Sequence, residues 1–170
     1  MRKRFLTSLV SLLCLFATCL ACVSCGKLKL VEKSELGLNF AIPEDFERTY
    51  GMFADIEYGN DETAFFADVM TYSELELSVG ASVRECTEKI LDNMQFGGVE
   101  IIYNDEKKTA TFDTWATDET RTESYYNYIT VLVGENAVFV ARYVCSGDEK
   151  SMKKHSDDFI EMSAYLSIRQ

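Results

Sequence analysis

Hydrophobic residues alternate with polar or small residues in several segments of the chain, and this period of two predicts β-strands. In residues 36–42 every second side chain is hydrophobic, which indicates a strand with one buried face, and Pro43 ends the run. The turn Gly134-Glu135-Asn136 lies between two further runs and predicts a hairpin. By the same criteria we expect strands over residues 50–58, 63–73, 99–103, 109–116, 124–133 and 137–145.

Two other segments carry the period of 3.6 that is typical of amphipathic helices. Ser82 and Glu85 form a capping box at the start of the first helix, and Gly97-Gly98 is expected to end it. Ser146 and Glu149 repeat the capping pattern before a helix that closes the chain. The hydrophobic stripes are Val83, Cys86, Ile90 and Met94 in the first helix and Met152, Phe159, Met162 and Leu166 in the second. This order of elements predicts an α+β fold, an antiparallel β-sheet with helices packed on its faces.

The N-terminal segment is typical of a bacterial export signal. Arg2-Lys3-Arg4 comes before an apolar run, and no further charge occurs until Lys27. Because the 22 residues from Phe5 to Gly26 are also long enough to cross a bilayer, an uncleaved transmembrane helix is the alternative.

The end of the apolar run resembles the lipobox of bacterial lipoproteins. Small residues come before Cys25 and Gly26 follows it, and in that family a diacylglyceryl group is attached to such a cysteine before cleavage. We expect lipidation at Cys25, with Cys22 after Leu20-Ala21 as the alternative site. Two acyl chains hold a protein at a membrane durably. The expected organisation is a signal peptide over residues 1–24, a lipidated tether over 25–35 and one domain over 36–170.

The net charge of this domain limits the classes of partner that it can bind. The chain has 28 acidic and 17 basic residues and a formal net charge of −11, and the export signal carries only basic charges. The exported part is therefore the more acidic one and repels nucleic acid, so we expect no nucleic-acid partner. The expected location is the bacterial cell membrane, with the domain facing outside the cytoplasm.

Two cysteines lie well inside the predicted domain. The spacing of Cys19, Cys22 and Cys25 resembles a metal-ligand pattern, but these residues belong to the export signal and its cleavage region. Cys86 and Cys145 remain, and a disulfide between them is permitted outside the reducing cytoplasm. The alternative is a pair of buried free thiols.

No motif for catalysis, metal binding or phosphate binding occurs in the sequence. His155 is the only histidine, and its place beside the apolar stripe of the closing helix predicts a residue at the boundary of the core. We therefore predict no catalytic residue, no metal and no cofactor. Glycan hydrolysis by paired carboxylates stays an alternative, because acidic residues are abundant and their pairing is invisible in sequence.

Aromatic residues supply the best indication of a binding surface. Trp115 shares one strand face with Thr111 and Asp113, and Tyr126 and Tyr128 share one face of the next strand. Trp115, Tyr126 and Tyr128 together predict a platform for a small-molecule ligand or a protein partner. The alternative is that a helix covers all three.

The order of elements resembles the PsbP-like fold. Its signs are an opening strand ending in Ile42-Pro43-Glu44-Asp45-Phe46, a middle helix, a long tyrosine-rich hairpin and a final helix. The fold occurs in the PsbP subunit of photosystem II, in a nuclear Ran-binding protein and in small bacterial lipoproteins. The resemblance implies an α/β/α sandwich and a non-enzymatic binding or accessory role, here at the cell envelope. A structural or assembly component that uses a sheet edge or aromatic face is the remaining alternative.

Overall fold

The structure is a computed structural model, and it describes residues 27–33, 36–49, 54–95, 98–117 and 124–168. The export signal and Cys25 lie outside these residues. Within the described ranges the elements in chain order are β1 (Leu28–Lys33), β2 (Leu38–Pro43), β3 (Glu47–Arg48), β4 (Ile56–Gly59), β5 (Thr63–Met70), α1 (Val83–Met94), β6 (Ile102–Asn104), β7 (Thr109–Thr117), β8 (Ser124–Val133), β9 (Val138–Ser146), α2 (Glu149–Ser163) and β10 (Ser167–Ile168).

The strands form two antiparallel sheets. Seven strands make the large sheet in the order β3-β4-β5-β9-β8-β7-β6, and three make the small sheet in the order β1-β2-β10. The predicted hairpin is confirmed, because β8 and β9 pair from Tyr125 opposite Ser146 to Val133 opposite Val138. The α+β fold class is therefore confirmed.

Each face of the large sheet has its own hydrophobic core. The first core fills the space between the large sheet, the small sheet and α2, and the second lies between the large sheet and α1. Alternation along β9 divides its residues between the two, with Phe139 and Tyr143 in the first core and Val138 and Val140 in the second. The α/β/α sandwich thus has a small sheet beside one of its helices.

Tyr143 joins the three layers around the first core. The side chain is fully buried, and its ring lies 4.8 Å from Phe65 and 5.6 Å from Phe159 of α2, measured between centroids. The hydroxyl donates a hydrogen bond of 3.1 Å to the carbonyl of Ala41 in the small sheet. Burial raises the pKa of this phenol far above its ordinary value, so it stays a donor.

The first helix begins at the predicted capping residue, and the second helix does not. Ser82 and Glu85 make the predicted capping box: the Ser82 hydroxyl accepts the backbone N–H of Glu85, and the Glu85 carboxylate accepts the backbone N–H of Ser82. The second helix begins instead after Asp148, whose carboxylate accepts the backbone N–H of Ser151 at 3.0 Å. The capping prediction at Ser146 is wrong, because that residue still pairs in β9.

The first helix also ends earlier than predicted. It stops at Met94, and Gln95 takes up the left-handed backbone conformation with φ 58°, ahead of Gly98.

The expected tether over residues 25–35 is wrong for most of its length, because Leu28–Lys33 is β1. Lys29, Val31 and Lys33 lie opposite the inward-facing residues of β2, so two of three inward positions hold lysine. Lys29 extends its ammonium to the carbonyls of Glu44 and Phe46, and Lys33 lies 5.9 Å from the centroid of the Tyr58 ring. The sequence pattern missed this strand because those lysines hide its alternation.

The possible Cys86–Cys145 disulfide does not form. Both cysteines are buried free thiols, and Cys86 belongs to the second core while Cys145 belongs to the first. The large sheet therefore lies between them, which prevents the approach of about 5.5 Å between Cα atoms that a disulfide needs. Burial raises the pKa of both thiols.

The Tyr143 hydroxyl can be tested by removing it alone. We expect Tyr143→Phe to lower the free energy of unfolding by about 1 kcal/mol, because the Ala41 carbonyl loses its donor while the ring still packs. Urea denaturation measures the change. The control is Tyr165→Phe, at an exposed tyrosine, which should leave stability unaltered. A Tyr143→Phe variant as stable as the parent protein would contradict the hydrogen bond.

Candidate functional site

The aromatic residues singled out in the sequence lie together but are not equally exposed. Trp115 pairs with Tyr126 across β7 and β8, and their ring centroids are 5.6 Å apart with a tilt of 56°. Trp115 is 44% exposed, Tyr128 is half-buried and Tyr126 is only 4% exposed. The structure therefore leaves Trp115 as the exposed part of the predicted platform.

The position of α2 explains this difference. The helix packs on β8 and β9, and the ring of Phe159 stacks on Tyr126 with centroids 6.4 Å apart. The sheet continues past the helix through β7 and β6, so Trp115 lies beyond the covered area. Burial raises the pKa of Tyr126 well above its usual range, and its hydrogen bond to the carboxylate of Asp113 adds to the shift.

A larger open surface, which sequence reasoning missed, lies on the opposite face of the large sheet. Helix α1 packs on β7 and β8. Two adjoining concavities of about 790 and 420 Å³ open over β4, β5 and β9, and the smaller one reaches the ends of β8 and β7 at Tyr125 and Ala116. Both concavities are lined by Asn60, Asp61, Ala64 and Phe66. We call this surface the open groove.

The floor of the open groove combines an aromatic ring with a compensated arginine. The guanidinium carbon of Arg142 lies 5.4 Å from the centroid of the Phe66 ring, and Nη2 donates to the Asp68 carboxylate at 3.1 Å. Burial raises the pKa of Asp68, and the charge of Arg142 opposes that shift. Because Asp68 compensates the charge of Arg142, the floor presents little net positive charge.

Acidic side chains surround this floor. Asp45, Glu47 and Asp61 line the larger concavity and are exposed, and Arg48 is the one basic residue of the described lining. The rim is held in shape by Asn60, whose amide donates to Asp45 at 2.8 Å and whose oxygen accepts the N–H of Thr63 at 2.8 Å. The arrangement suits a ligand with positive charge and some apolar surface.

A buried carboxylate also borders the larger concavity. Glu57 is 5% exposed and accepts the backbone N–H of Ala54 at 2.8 Å and the hydroxyl of Thr49 at 3.4 Å. These bonds tie the segment after β3 to β4 and so shape one side of the open groove. The sequence marks Glu57 only as part of a short strand, with no sign of its burial.

His155 lies where the sequence predicts, at the boundary of the core. Its ring packs on Phe159 with centroids 6.0 Å apart, and Nε2 is 3.6 Å from the Glu62 carboxylate. Burial lowers the pKa of His155, Lys154 lowers it further, and Glu62 and Asp158 act in the opposite direction. The adjacent cavity is about 50 Å³, which leaves room for little more than ordered water.

The described part of the chain contains neither a cluster of metal ligands nor a membrane-spanning helix. No group of three or more histidine, cysteine, aspartate or glutamate side chains there is arranged to hold a metal ion. Over the same residues, no helix has the length and apolar character needed to span a bilayer.

Structural comparison identifies the fold. No family model and no curated protein matches the chain in sequence. The Saccharomyces cerevisiae Ran-binding protein Mog1p superposes with a TM-score of 0.57 at 9% identity, covering 85% of this chain and 96% of that protein. The chain has the fold of Mog1p. This confirms the predicted resemblance, since the PsbP-like fold was expected to be shared with a Ran-binding protein.

Two further structures are similar at low identity. A protein of unknown function from Pseudomonas aeruginosa, described as a putative regulator, has a TM-score of 0.50 at 13% identity and covers 85% of this chain and 99% of its own. Cyanobacterial PsbP from Synechocystis has a TM-score of 0.41 at 11% identity and covers 85% of this chain and 94% of its own.

The environment of His155 predicts its titration. Its pKa lies below the ordinary 6.5, so the neutral ring contributes stability above pH 6.5 that is lost as pH falls toward the pKa of the folded state. We expect Lys154→Met to raise this pKa and Glu62→Gln to lower it. As His155 is the only histidine, NMR titration of its ring protons measures each value directly. Titration at or above pH 6.5 in the parent protein would contradict the assignment.

Proposed function

We propose that this chain is a lipid-anchored, non-enzymatic binding protein of the bacterial cell envelope, and that its partner occupies the open groove. The observation that carries the binding role is the uncovered part of the large sheet with its aromatic and acidic lining. A sheet face without a covering helix leaves apolar and polar side chains available to a partner. Mog1p, which has this fold, is described as a Ran-binding protein, and this supports a binding role.

The charges of the groove favour a basic partner. Asp45, Glu47 and Asp61 have no lysine or arginine within salt-bridge distance among the described residues. Of the two arginines in the lining, Arg142 is compensated by Asp68, and the acidic residues outnumber Arg48. The net charge of −11 attracts cationic partners over a longer range. The ring of Phe66 can then pack against the aliphatic stem of a lysine or the plane of an arginine. We therefore propose a basic protein segment as the partner.

The anchor is proposed from the N-terminal sequence together with the start of the domain. The apolar leader, the small residues before Cys25 and Gly26 after it support lipidation at Cys25. The fold begins two residues later, because the backbone N–H of Glu44 donates to the carbonyl of Lys27 at 2.9 Å. A lipidated protein of this kind would have almost no free tether.

Intact mass tests the anchor. When the full chain is expressed in a bacterium and extracted from membranes, we expect a polypeptide that begins at Cys25 and carries a diacylglyceryl group. Cys25→Ser should abolish the lipid mass, and the matched control Cys22→Ser should retain it. Recovery of the unmodified full-length chain would refute the anchor, and loss of the lipid in Cys22→Ser alone would move it to Cys22.

Site-specific photocrosslinking tests the groove. A photoreactive phenylalanine analogue at Phe66 should give one defined adduct in intact cells, because the floor of the groove faces the partner. The charge reversals Glu47→Lys and Asp61→Lys should weaken that adduct by removing the attraction to a basic segment. The analogue at Asn136, which is exposed in the β8–β9 turn, serves as the control. An adduct at Phe66 that persists undiminished after both reversals would contradict a basic partner.

A further inference from the structure

One end of the large sheet holds both the start of the domain and the exposed tryptophan. Thr63, Cys145, Tyr126 and Trp115 form a single row across β5, β9, β8 and β7, each at the end of its strand or within two residues of it. The opposite end of the same strands carries the β8–β9 turn with Asn136. Tyr126 and Val133 are seven residues apart along β8, so the two ends are separated by about 24 Å.

The N-terminus of the fold lies at the end that carries Trp115. Leu28 pairs with Pro43 in the small sheet, and both line the small cavity that Thr63 shares with His155 of α2. Thr63 is in the same row as Trp115, on the same face of the large sheet. β1 therefore starts beside this row.

The length of chain before the fold limits how far this end can lie from a lipid on Cys25. Lys27 is already held by Glu44, and only Gly26 lies between Lys27 and Cys25. Two residues of extended chain span about 7 Å at most. That length is about the thickness of one headgroup region, roughly 5 to 7.5 Å, and leaves no spacer beyond it. A domain anchored at Cys25 must then rest with this end against the bilayer.

Trp115 has the chemistry for such a place. Tryptophan is enriched at membrane–water interfaces, because its ring is apolar and its N–H is a hydrogen-bond donor. It is the only tryptophan of the chain and is 44% exposed at the end that the anchor brings to the lipid. Lys154 is paired with Glu62 and Lys29 binds backbone carbonyls, so neither of these lysines is free for lipid headgroups.

We propose that the end of the large sheet marked by Thr63 and Trp115 lies on the membrane surface and that the indole of Trp115 enters the headgroup region. This inference rests on the lipid anchor proposed above and deepens it by assigning an orientation to the domain. The indole and the acyl chains of the anchor are the groups that contact the lipid, and neither requires an anionic headgroup. Vesicles of zwitterionic phosphatidylcholine are therefore a sufficient probe.

The test uses the fluorescence of Trp115 in the lipidated full chain. The protein is reconstituted into phosphatidylcholine vesicles, with and without phospholipid brominated on the acyl chain near the headgroup, and bound protein is separated by flotation. We expect the emission of Trp115 to shift to shorter wavelength on the vesicles and to lose intensity when the brominated lipid is present. As no other tryptophan contributes, the signal reports this one position.

A matched variant moves the reporter to the other end of the sheet. The double substitution Trp115→Phe with Asn136→Trp keeps one tryptophan but places it in the exposed β8–β9 turn. We expect this reporter to float with the vesicles without being quenched. Flotation with Trp115 unquenched, or with both reporters quenched equally, would overturn the orientation alone. Failure of the parent protein to float would overturn the anchor and the orientation together.

Discussion

The contact of Tyr143 with both layers above the large sheet is the constraint on which the first core depends. A ring that packs on Phe159 and a hydroxyl that binds the Ala41 carbonyl fix α2 and the small sheet relative to the same strand. The helix α2 and the small sheet lie side by side on one face of the large sheet, and each covers only part of it. A residue that contacts both is needed to hold them in place. The position of α2 on β8 and β9 then decides which strands stay uncovered on that face.

Both proposed surfaces follow from the width of the large sheet. Seven strands spaced by about 4.8 Å give a sheet roughly 29 Å across, whereas a helix with its side chains covers only about 10 Å. On one face α2 and the small sheet leave β7 uncovered, and Trp115 of β7 is therefore exposed. On the other face α1 lies toward the β6 edge, and the open groove extends over β4, β5 and β9 to the ends of β8 and β7.

The sequence predicts those parts of the fold in which local pattern and final environment agree. The strand Ser124–Val133 and the capping box at Ser82 are such cases, because alternation and capping depend on near neighbours. β1 was missed because Lys29 and Lys33 occupy inward positions and find their partners in distant segments. The groove was missed for a related reason, since no pattern along β5 tells whether a helix covers the side of Phe66 or that of Phe65.

The open groove and the sheet end that carries Trp115 meet at the turn before β5, so the position of one affects access to the other. Asp61 and Thr63 line the open groove, and Thr63 also belongs to the row that the proposed anchor would bring to the membrane. In the proposed orientation, a partner in the groove would approach along the bilayer surface, where a segment next to a membrane anchor is already confined. Such segments are often basic, because lysine and arginine are attracted to anionic lipid. The acidic rim competes for the same charges, which favours a membrane-bound partner over one that diffuses freely.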